Sequence, residues 1–326
     1  MFLAYLVLLR GATATLGGRQ VTSGLPSGAN LTLIADGFTW VENLIFDDFG
    51  NLWVTDLFDG IVYRITRDPS THVATRTVWL TGFHKCLGLA RGPGTTIFFV
   101  GIYADSNCTL SSFDANVPNV SKIVAYTGTS DGNGLVYDAA TDTLYTTSEG
   151  GFIPFFGRVF VVPHVSSYSA PPNALDYQVG LNDCDGLFLD LATNLLYMSE
   201  VVTGTVYVYN TTQSPTGKDG ATPVRQFHAP NMSTLDDMCI VHGMPWGLKI
   251  ADAVVAADWL LGNVVAFDVS GAAPGVILAK GFANPTSVRR PLKGSVWDNS
   301  GRSLYVTEGG CQGAAGCGVW ELTPAL

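Results

Sequence analysis

The first clear pattern in the chain is a set of three short apolar segments between residues 40 and 65. Apolar and β-branched side chains dominate 41–46, 52–55 and 61–65, and Asp, Gly and Asn residues fill the two intervals between them. Such residues favour turns, whereas the apolar segments favour strands. The pattern therefore predicts three antiparallel strands joined by tight hairpins.

This pattern returns five more times, and one of the copies is degenerate. The later copies cover 86–100, 133–148, 185–200, 248–269 and 286–308. Their middle strands recur roughly every 45 to 58 residues, a period typical of propeller blades. One blade cannot bury both faces of its sheet, so the copies must stack around an axis. We predict an all-β, six-bladed β-propeller with four-stranded blades around a central channel, forming a single domain over 25–326.

Composition agrees with a single all-β domain. Hydrophobic residues make up 47% and charged residues 13% of the 326 residues, with 37 glycines and no linker or low-complexity segment. The net charge is −10, from 27 acidic and 17 basic residues. No basic stripe is present to neutralise phosphates, so no nucleic-acid partner is expected. The acidic balance is compatible with a cation site, but surface solubility explains it equally well.

The N-terminal residues resemble a secretory signal peptide. An apolar run at 2–9 precedes Arg10 and a small-x-small pattern at 12–14, which predicts a signal peptide over 1–14. The alternative is a disordered or strand-forming N-terminus. The run is too short to cross a bilayer, and no membrane partner is expected. Five glycosylation sequons support a secreted, vacuolar or wall-associated protein: Asn30, Asn107, Asn119, Asn210 and Asn231.

Six cysteines fit the same interpretation, because no Cys-x-x-Cys or zinc spacing is present. Cys311 and Cys317 flank a Gly/Ala-rich loop and are the first pair expected to form a disulfide, worth roughly 2 kcal/mol. Cys86 with Cys108 and Cys184 with Cys239 would complete one of the pairings that six cysteines allow. The alternative is six thiols in a cytosolic protein.

Candidate chemistry lies at the entry end of each first strand, since these ends converge near a propeller axis. The candidates, in blade order, are Glu42, Gly88, Asn133 with Asp131, Asp185 with Asn182 and Asp183, Asp236 with Asp237, and Thr286 with Ser287. Carboxylates with an amide oxygen form a hard-oxygen set that suits Ca²⁺, Mg²⁺ or Mn²⁺. Asn-Gly and Asp-Gly pairs also form turns, which is the structural alternative for 133–134 and 185–186.

The fifth blade allows two interpretations. If its inner strand lies at 238–241, Asp236 belongs to the site. If the strand lies at 246–250, Trp246 takes that place instead.

Several of these segments together resemble the regucalcin, gluconolactonase and luciferin-regenerating-enzyme family of six-bladed propellers. The resemblance rests on Trp40-x-Glu42 leading into 46–56, and on 185–187, 235–238, 285–288 and 304–306 in order. It covers about 31–323. It implies one divalent cation in the channel and hydrolysis of sugar lactones or related esters. Its metal ligands fall on Glu42, Asp185 and Asp236, and Asn133 completes the oxygen set.

The resemblance is imperfect at two positions. Members usually carry Asn where Asp185 stands, and the third-blade substrate residues correspond only roughly to Asp131 or Asn133. The arginine often found two positions before that Asn is replaced by Asp131. A preference for sugar acids is therefore not predicted, because no arginine is offered to a carboxylate there.

The implied function is metal-assisted hydrolysis of a lactone or small ester by a monomer. The expected cofactor is one divalent cation, Ca²⁺ first, with Mg²⁺, Mn²⁺ or Zn²⁺ as alternatives. Asp236 or Asp237 would act as general base, and His242 and Trp246 would bind substrate at the channel mouth.

Two rival functions remain. One is a non-catalytic propeller that binds a protein or glycan, and the other is a metal-independent enzyme of the strictosidine-synthase type. The Gly-x-Ser-x-Gly match at 128–132 is interpreted as a turn, because a strand rather than a helix follows it.

Overall fold

The computed structural model confirms a six-bladed β-propeller in which each blade is an antiparallel sheet. It describes residues 22–23, 29–103, 108–128, 131–150, 156–212, 221–229, 234–243, 246, 248, 250–270, 275–298, 301–311 and 317–324. Each innermost strand contacts the innermost strands of both neighbouring blades, which closes the ring around a central channel.

The first three blades follow the chain from the inner to the outer strand. Blade 1 is β3 (Val41–Phe46), β4 (Asn51–Asp56), β5 (Ile61–Arg67) and β6 (Ala74–Leu80). Blade 2 is β7 (Lys85–Arg91), β8 (Ile97–Tyr103), β9 (Thr109–Asp114) and β10 (Ser121–Tyr126). Blade 3 is β11 (Leu135–Asp138), β12 (Thr143–Ser148), β13 (Gly157–Val162) and β14 (Leu175–Leu181).

The remaining blades also incorporate the N-terminal strands. Blade 4 is β15 (Cys184–Asp190), β16 (Leu195–Glu200), β17 (Thr205–Asn210) and β18 (Arg225–His228). Blade 5 is β19 (Leu235–His242), β20 (Asp252–Asp258), β21 (Asn263–Asp268) and β22 (Val276–Lys280), with β1 (Thr22–Ser23) on its edge. Blade 6 is β23 (Pro285–Arg289), β24 (Leu304–Glu308), β25 (Cys317–Pro324) and β2 (Ala29–Phe38).

Two strands from the start of the chain close the ring. β2 pairs antiparallel with β25, so blade 6 combines both ends of the chain. β1 pairs with β22 of blade 5, so the strands of the propeller begin before residue 25. Backbone hydrogen bonds between the two ends hold the first and last blades together without a covalent link.

Apolar side chains fill the spaces between blades. Trp53 of blade 1 packs against Trp79, Phe98 and Phe113, where blades 1 and 2 meet. Tyr145, Tyr177 and Tyr209 form a chain of edge-to-face contacts between blades 3 and 4. Each sheet is therefore covered on both faces by its neighbours, and the ring behaves as one continuous core.

A β-bulge interrupts the inner strand near its entry end. In blades 1, 2, 4, 5 and 6 the pairing with the second strand shifts register across the same two residues, as between Val41 and Leu44. In blade 3 the corresponding residues directly precede β11, where Asn133 N–H donates to the Thr147 carbonyl. The first residue of each bulge, and its equivalent in blade 3, takes the axial position of its blade. In blade order these residues are Glu42, Leu87, Asn133, Asp185, Asp236 and Thr286.

Hydroxyl groups from the second strands join neighbouring blades at these bulges. Thr55 Oγ1 accepts from Asn43 N–H at 3.0 Å and donates to the Leu87 carbonyl of the next blade at 2.8 Å. Thr307 likewise accepts from Ser287 N–H at 2.9 Å and bonds the Glu42 carbonyl at 3.2 Å. Each hydroxyl thus satisfies backbone groups that the bulge removes from the sheet ladder.

The positions of the cysteines correct part of the disulfide prediction, because two of the three predicted pairs lie too far apart to be bridged. Cys86 lies opposite Ile102, which in turn lies opposite Thr109, so Cys108 is two strands away. Two strand spacings are about 10 Å, beyond the Cα separation that a disulfide spans. Cys184 packs in the core between blades 3 and 4, and Cys239 in the core between blades 5 and 6. Both of these pairings are wrong.

The Cys311–Cys317 bridge remains a prediction. The backbone N–H of Cys311 donates to Cys317 Sγ at 3.2 Å, so the two residues are neighbours.

The predicted modification and targeting sites are only partly described. Asn30 and Asn119 are exposed, Asn210 is half-buried, and Asn107, Asn231 and the predicted signal peptide lie outside the described residues. A search of the described residues finds no helix with the length and apolarity needed to cross a membrane.

Removing one inter-blade hydroxyl should destabilise the fold. We expect Thr55→Val to lower the free energy of unfolding by about 1–3 kcal/mol, because the buried Asn43 N–H and Leu87 carbonyl lose their partner. Urea denaturation measures the loss. Thr77→Val, on the exposed outer strand of the same blade, should change stability by less than about 0.5 kcal/mol. Equal effects of the two changes would contradict this role of Thr55.

Candidate functional site

The candidate site is a cluster of buried acidic and amide side chains at the entry end of the central channel. Glu42, Asn133, Asp185 and Asp236 are each at most 6% exposed. They lie close enough to influence one another, since Asp185 affects the pKa of Asp236 and Asn133 affects the pKa of Glu42. The structure therefore brings together the four residues that the sequence nominated as cation ligands.

The register of the inner strands settles the alternatives left by the sequence. β19 covers Leu235–His242, so Asp236 and not Trp246 stands at the axial position of blade 5. In blade 2 the equivalent residue is Leu87, because Gly88 occupies the next position. Gly88 and Gly134 lie against the neighbouring inner strand, where a Cβ would fall 1.9 Å from the Asn133 carbonyl oxygen and 2.2 Å from that of Asp185. Close packing of backbones, not turn formation, requires these two glycines.

Glu149 is a site residue that the sequence analysis missed. It follows β12 directly, is 6% exposed, and accepts a 2.6 Å hydrogen bond from Asn133 Nδ2 on Oε1. In blades 1, 4, 5 and 6 the acid that ends the second strand accepts backbone N–H groups of its own blade, as Asp56 does from Thr39 and Trp40. Glu149 lies one residue beyond that position and is directed to the axis.

Asp131 takes over the structural role that Glu149 leaves open. Its carboxylate accepts from the Ser148 hydroxyl and, at 3.2 Å, from the backbone N–H of Glu149. Asp131 therefore holds the end of β12 in place. It contributes to the predicted substrate site indirectly, by positioning the backbone of Glu149. The sequence signal for this difference is Ser148 at the end of the second strand, a position that is acidic in blades 1, 4, 5 and 6, together with an acid at Asp131 before the first strand.

Asp237 lies beside the axial cluster but faces the interface with blade 6. Its Oδ2 accepts from Ser287 Oγ at 2.6 Å and forms an ion pair with Arg289 at 2.6 Å, and only 1% of the residue is exposed. A carboxylate held by two such partners is poorly placed to accept a proton from water at the axis. The prediction of Asp237 as a general base is therefore corrected to a structural role, and Asp236 alone keeps the axial position.

His242 and Trp246 do not belong to the axial cluster. His242 ends β19, six residues after Asp236 and so roughly 20 Å along the strand. It bridges Asp190 and Asp252 at 3.3 and 3.1 Å. Trp246 is 5% exposed and packs in the apolar core between blades 5 and 6. Both predictions of substrate binding at the channel mouth are wrong. The length of β19 places His242 far from the axial cluster, and Trp246 is buried in the core.

Burial and mutual repulsion dominate the electrostatics of the cluster. Burial, opposed by the Trp40 indole N–H at 2.6 Å and reinforced by the charge of Asp237, raises the pKa of Glu42 to about 7. Burial, then the neighbouring carboxylates, holds the pKa of Asp185, Asp236 and Glu149 well above the usual range. Several carboxyl groups in one dry space cannot all ionise unless a positive charge joins them.

The donor set fits a hard divalent cation in its chemistry. Asn133 Oδ1 and Glu149 Oε2 are buried without a hydrogen-bond partner, and the remaining donors are carboxylates. Within the described residues, however, no three His, Cys, Asp or Glu side chains already stand close enough together to hold a metal ion. The oxygen ligands are thus gathered near the axis but are not yet arranged to coordinate an ion.

The fold of the chain is shared with several propellers of known structure. Luciferin-regenerating enzyme matches with a TM-score of 0.64 at 15% identity, over 91% of this chain and 95% of that chain. A calcium-binding regucalcin from Agrobacterium tumefaciens matches with a TM-score of 0.62 at 12% identity, over 95% of both chains.

A dehydrogenase belongs to the same set of similar structures. The PQQ-bound aldose sugar dehydrogenase of Streptomyces coelicolor matches with a TM-score of 0.62 at 14% identity, over 91% of this chain and 99% of that chain. No family model and no curated protein sequence matches the chain. Identities this low show a common fold, and the function must be argued from the site.

The raised pKa values predict an inverse dependence of stability on pH in chelator-treated protein. An unfolded Glu releases its proton near its ordinary pKa of 4.5, whereas folded Glu42 retains it to about pH 7. The folded state binds more protons in this window, so stability falls as pH rises from about 5 to 8. Thermal melting should show this fall, and Glu42→Gln should reduce it. A flat profile in the unmodified chain would contradict the assignment.

The structural role of Asp237 is tested by its removal. Asp237→Asn leaves the Arg289 guanidinium buried beside a neutral group, which should cost about 3–5 kcal/mol of unfolding free energy. Asp176→Asn, which breaks the exposed pair with Arg158, should cost less than about 1 kcal/mol. Urea denaturation measures both, and an undiminished stability of Asp237→Asn would return Asp237 to the list of candidate bases.

Proposed function

We propose that the protein is a divalent-cation-dependent hydrolase of a lactone or small ester. The observation that carries the proposal is the meeting of Glu42, Asn133, Asp185 and Asp236 at the axis, buried and interacting with one another. A fold can bury such a group of carboxyls only at a cost in free energy, and a cation would offset that cost. The similarity in fold to regucalcin and luciferin-regenerating enzyme agrees with this proposal.

The four axial residues would hold the cation, with Ca²⁺ as the first expectation. A bound divalent cation would polarise a carbonyl group and lower the pKa of water. Binding would require Asp185 and Asp236 to release the protons that their raised pKa values favour, since both must offer carboxylate oxygens. Cation affinity should therefore rise with pH.

The chain itself supplies the base and the positioning groups. Asp236 would accept the proton of the attacking water, since it alone of the two adjacent acids in blade 5 faces the axis. Glu149 holds Asn133 by the hydrogen bond to its side-chain amide, and the second carboxylate oxygen of Glu149 is buried without a partner. This oxygen is placed to hydrogen-bond a substrate hydroxyl or, when protonated, a leaving oxygen.

Sugar acids are not the favoured substrates. No arginine stands at the position of Asp131, and Leu87 presents an apolar surface at the axial position of blade 2. The substrate would therefore be a neutral lactone or ester whose reactive carbonyl enters a ring of oxygen ligands. This preference follows from the lining of the channel rather than from the fold.

Titration with cations tests the proposal. Chelator-stripped protein should bind one Ca²⁺, Mg²⁺ or Mn²⁺ per chain in calorimetry, and a hundredfold excess over Kd should stabilise it by about 2.7 kcal/mol. Glu42→Ala and Asp185→Ala, which remove the oxygen ligand, should abolish binding, and with it the hydrolysis of a panel of neutral lactones and aryl esters. Asp176→Asn, far out on blade 3, is the matched control and should bind normally.

The outcomes separate this function from its rivals. Stoichiometric cation binding without hydrolysis would favour a propeller that binds a partner. Hydrolysis that survives both substitutions and chelation would favour a metal-independent enzyme. Absence of binding for all three cations would overturn the proposal.

A further inference from the structure

A second cavity lies at the opposite end of the channel from the acidic cluster. Its volume is about 320 Å³, and it is lined by the exit ends of the inner strands of blades 1, 2, 3, 4 and 6. The distance from Asp185 to Leu189, along β15, is about 13 Å. The cavity therefore opens on the other face of the propeller and is separate from the candidate hydrolase site.

The walls of this cavity are mainly aliphatic. Ile45, Leu89, Val136, Leu187 and Leu189 contribute side chains from four successive blades. A volume of this size is within the range of small-molecule sites. It has room for roughly ten groups of the size of a water molecule or a methylene, at ~30 Å³ each. Burial of a short hydrocarbon chain here would be favourable.

One side of the cavity carries arginine side chains from the end of β23. Arg289 is neutralised by its 2.6 Å ion pair with Asp237. Arg290 instead donates to two backbone carbonyls, those of Gly301 at 2.8 Å and His242 at 3.3 Å. Among the described residues no carboxylate forms an ion pair with Arg290, so its guanidinium keeps a full positive charge at the cavity wall.

The third arginine of the cavity lining does not offer the same opportunity. Arg91 also lines the cavity, but its guanidinium is paired with Asp48 across the blade interface. Arg290 is thus the group with both a fixed position and an uncompensated charge. Two backbone carbonyls hold its planar guanidinium in place, and its remaining N–H donors suit a carboxylate.

We infer that this cavity binds a single-chain carboxylate of about ten carbons, with its tail among the aliphatic side chains and its head group on Arg290. An apolar chain alone would gain the burial, whereas the carboxylate adds a charge-assisted hydrogen bond. The overall charge of −10 repels anions in general, so binding of this class would depend on the local arrangement at Arg290.

The experiment is a calorimetric titration of the full chain with decanoate below its micelle concentration. Decanol and decyltrimethylammonium, which share the tail but lack the negative charge, are the ligand controls. We expect one decanoate per chain, with the two controls at least tenfold weaker. Arg290→Met should remove the preference for decanoate over decanol.

A second variant keeps the test independent of any effect of Arg290→Met on folding. Leu189→Glu places a carboxylate on the half-buried wall and should abolish decanoate binding, whereas Val179→Glu, at an exposed site of β14, should not change it. Asp185→Ala should also bind decanoate normally, which separates this inference from the fate of the proposed hydrolase. No binding, equal affinity for the three ligands, or binding unaffected by Arg290→Met and Leu189→Glu would overturn it.

Discussion

The bulge near the start of each inner strand is the constraint on which the rest of the site depends. A regular strand alternates its side chains between the two blade interfaces, and a bulge directs one side chain to the axis instead. The same irregularity leaves backbone groups outside the ladder, and Thr55, Thr147, Ser199 and Thr307 satisfy them across the blade interface. The same bulge therefore directs a side chain to the axis and provides the backbone groups that join neighbouring blades.

This geometry forces acidic groups together and sets their chemistry. Glu42, Asp185 and Asp236 come from blades far apart in sequence, yet each is delivered by the same register shift to one buried space. Asp237, one residue further on, faces blade 6 and is neutralised there by Arg289. Adjacent acids of the same strand thus have opposite fates. Asp236 remains an axial carboxyl of raised pKa with no positive partner among the described residues, whereas Asp237 is paired with Arg289 in the packing between blades 5 and 6.

The sequence predicted the features that repeat and missed those that depend on departures from the repeat. Blade number and the axial position of Glu42 follow from periodicity, whereas in blade 5 the sequence left Asp236 and Trp246 as alternatives. Glu149 was missed because blade 3 does not follow the pattern of blades 1, 4, 5 and 6. There the second strand ends in Ser148 rather than in an acid, and Glu149 follows one residue later, a shift that is recognised only when the blades are compared position by position. The location of His242 was misjudged because β19 is eight residues long and carries His242 to the far end of the channel before the turn at Gly243 begins. The pairing of β2 with β25 joins residues almost 300 positions apart, which no local pattern reports.

The two ends of the channel present different side chains to the axis because different strand ends form them. Entry ends carry the bulges and so the acids, whereas the exit end of β23 carries two successive arginines. Arg289 belongs to both environments, since it lines the far cavity while its guanidinium neutralises Asp237 beside the axial acid Asp236. Loss of that ion pair would add a second uncompensated charge next to Asp236 and raise its pKa further. Arg289 therefore links the packing of blades 5 and 6 to the ionisation of Asp236, while burial remains the largest cause of the raised pKa of Asp236.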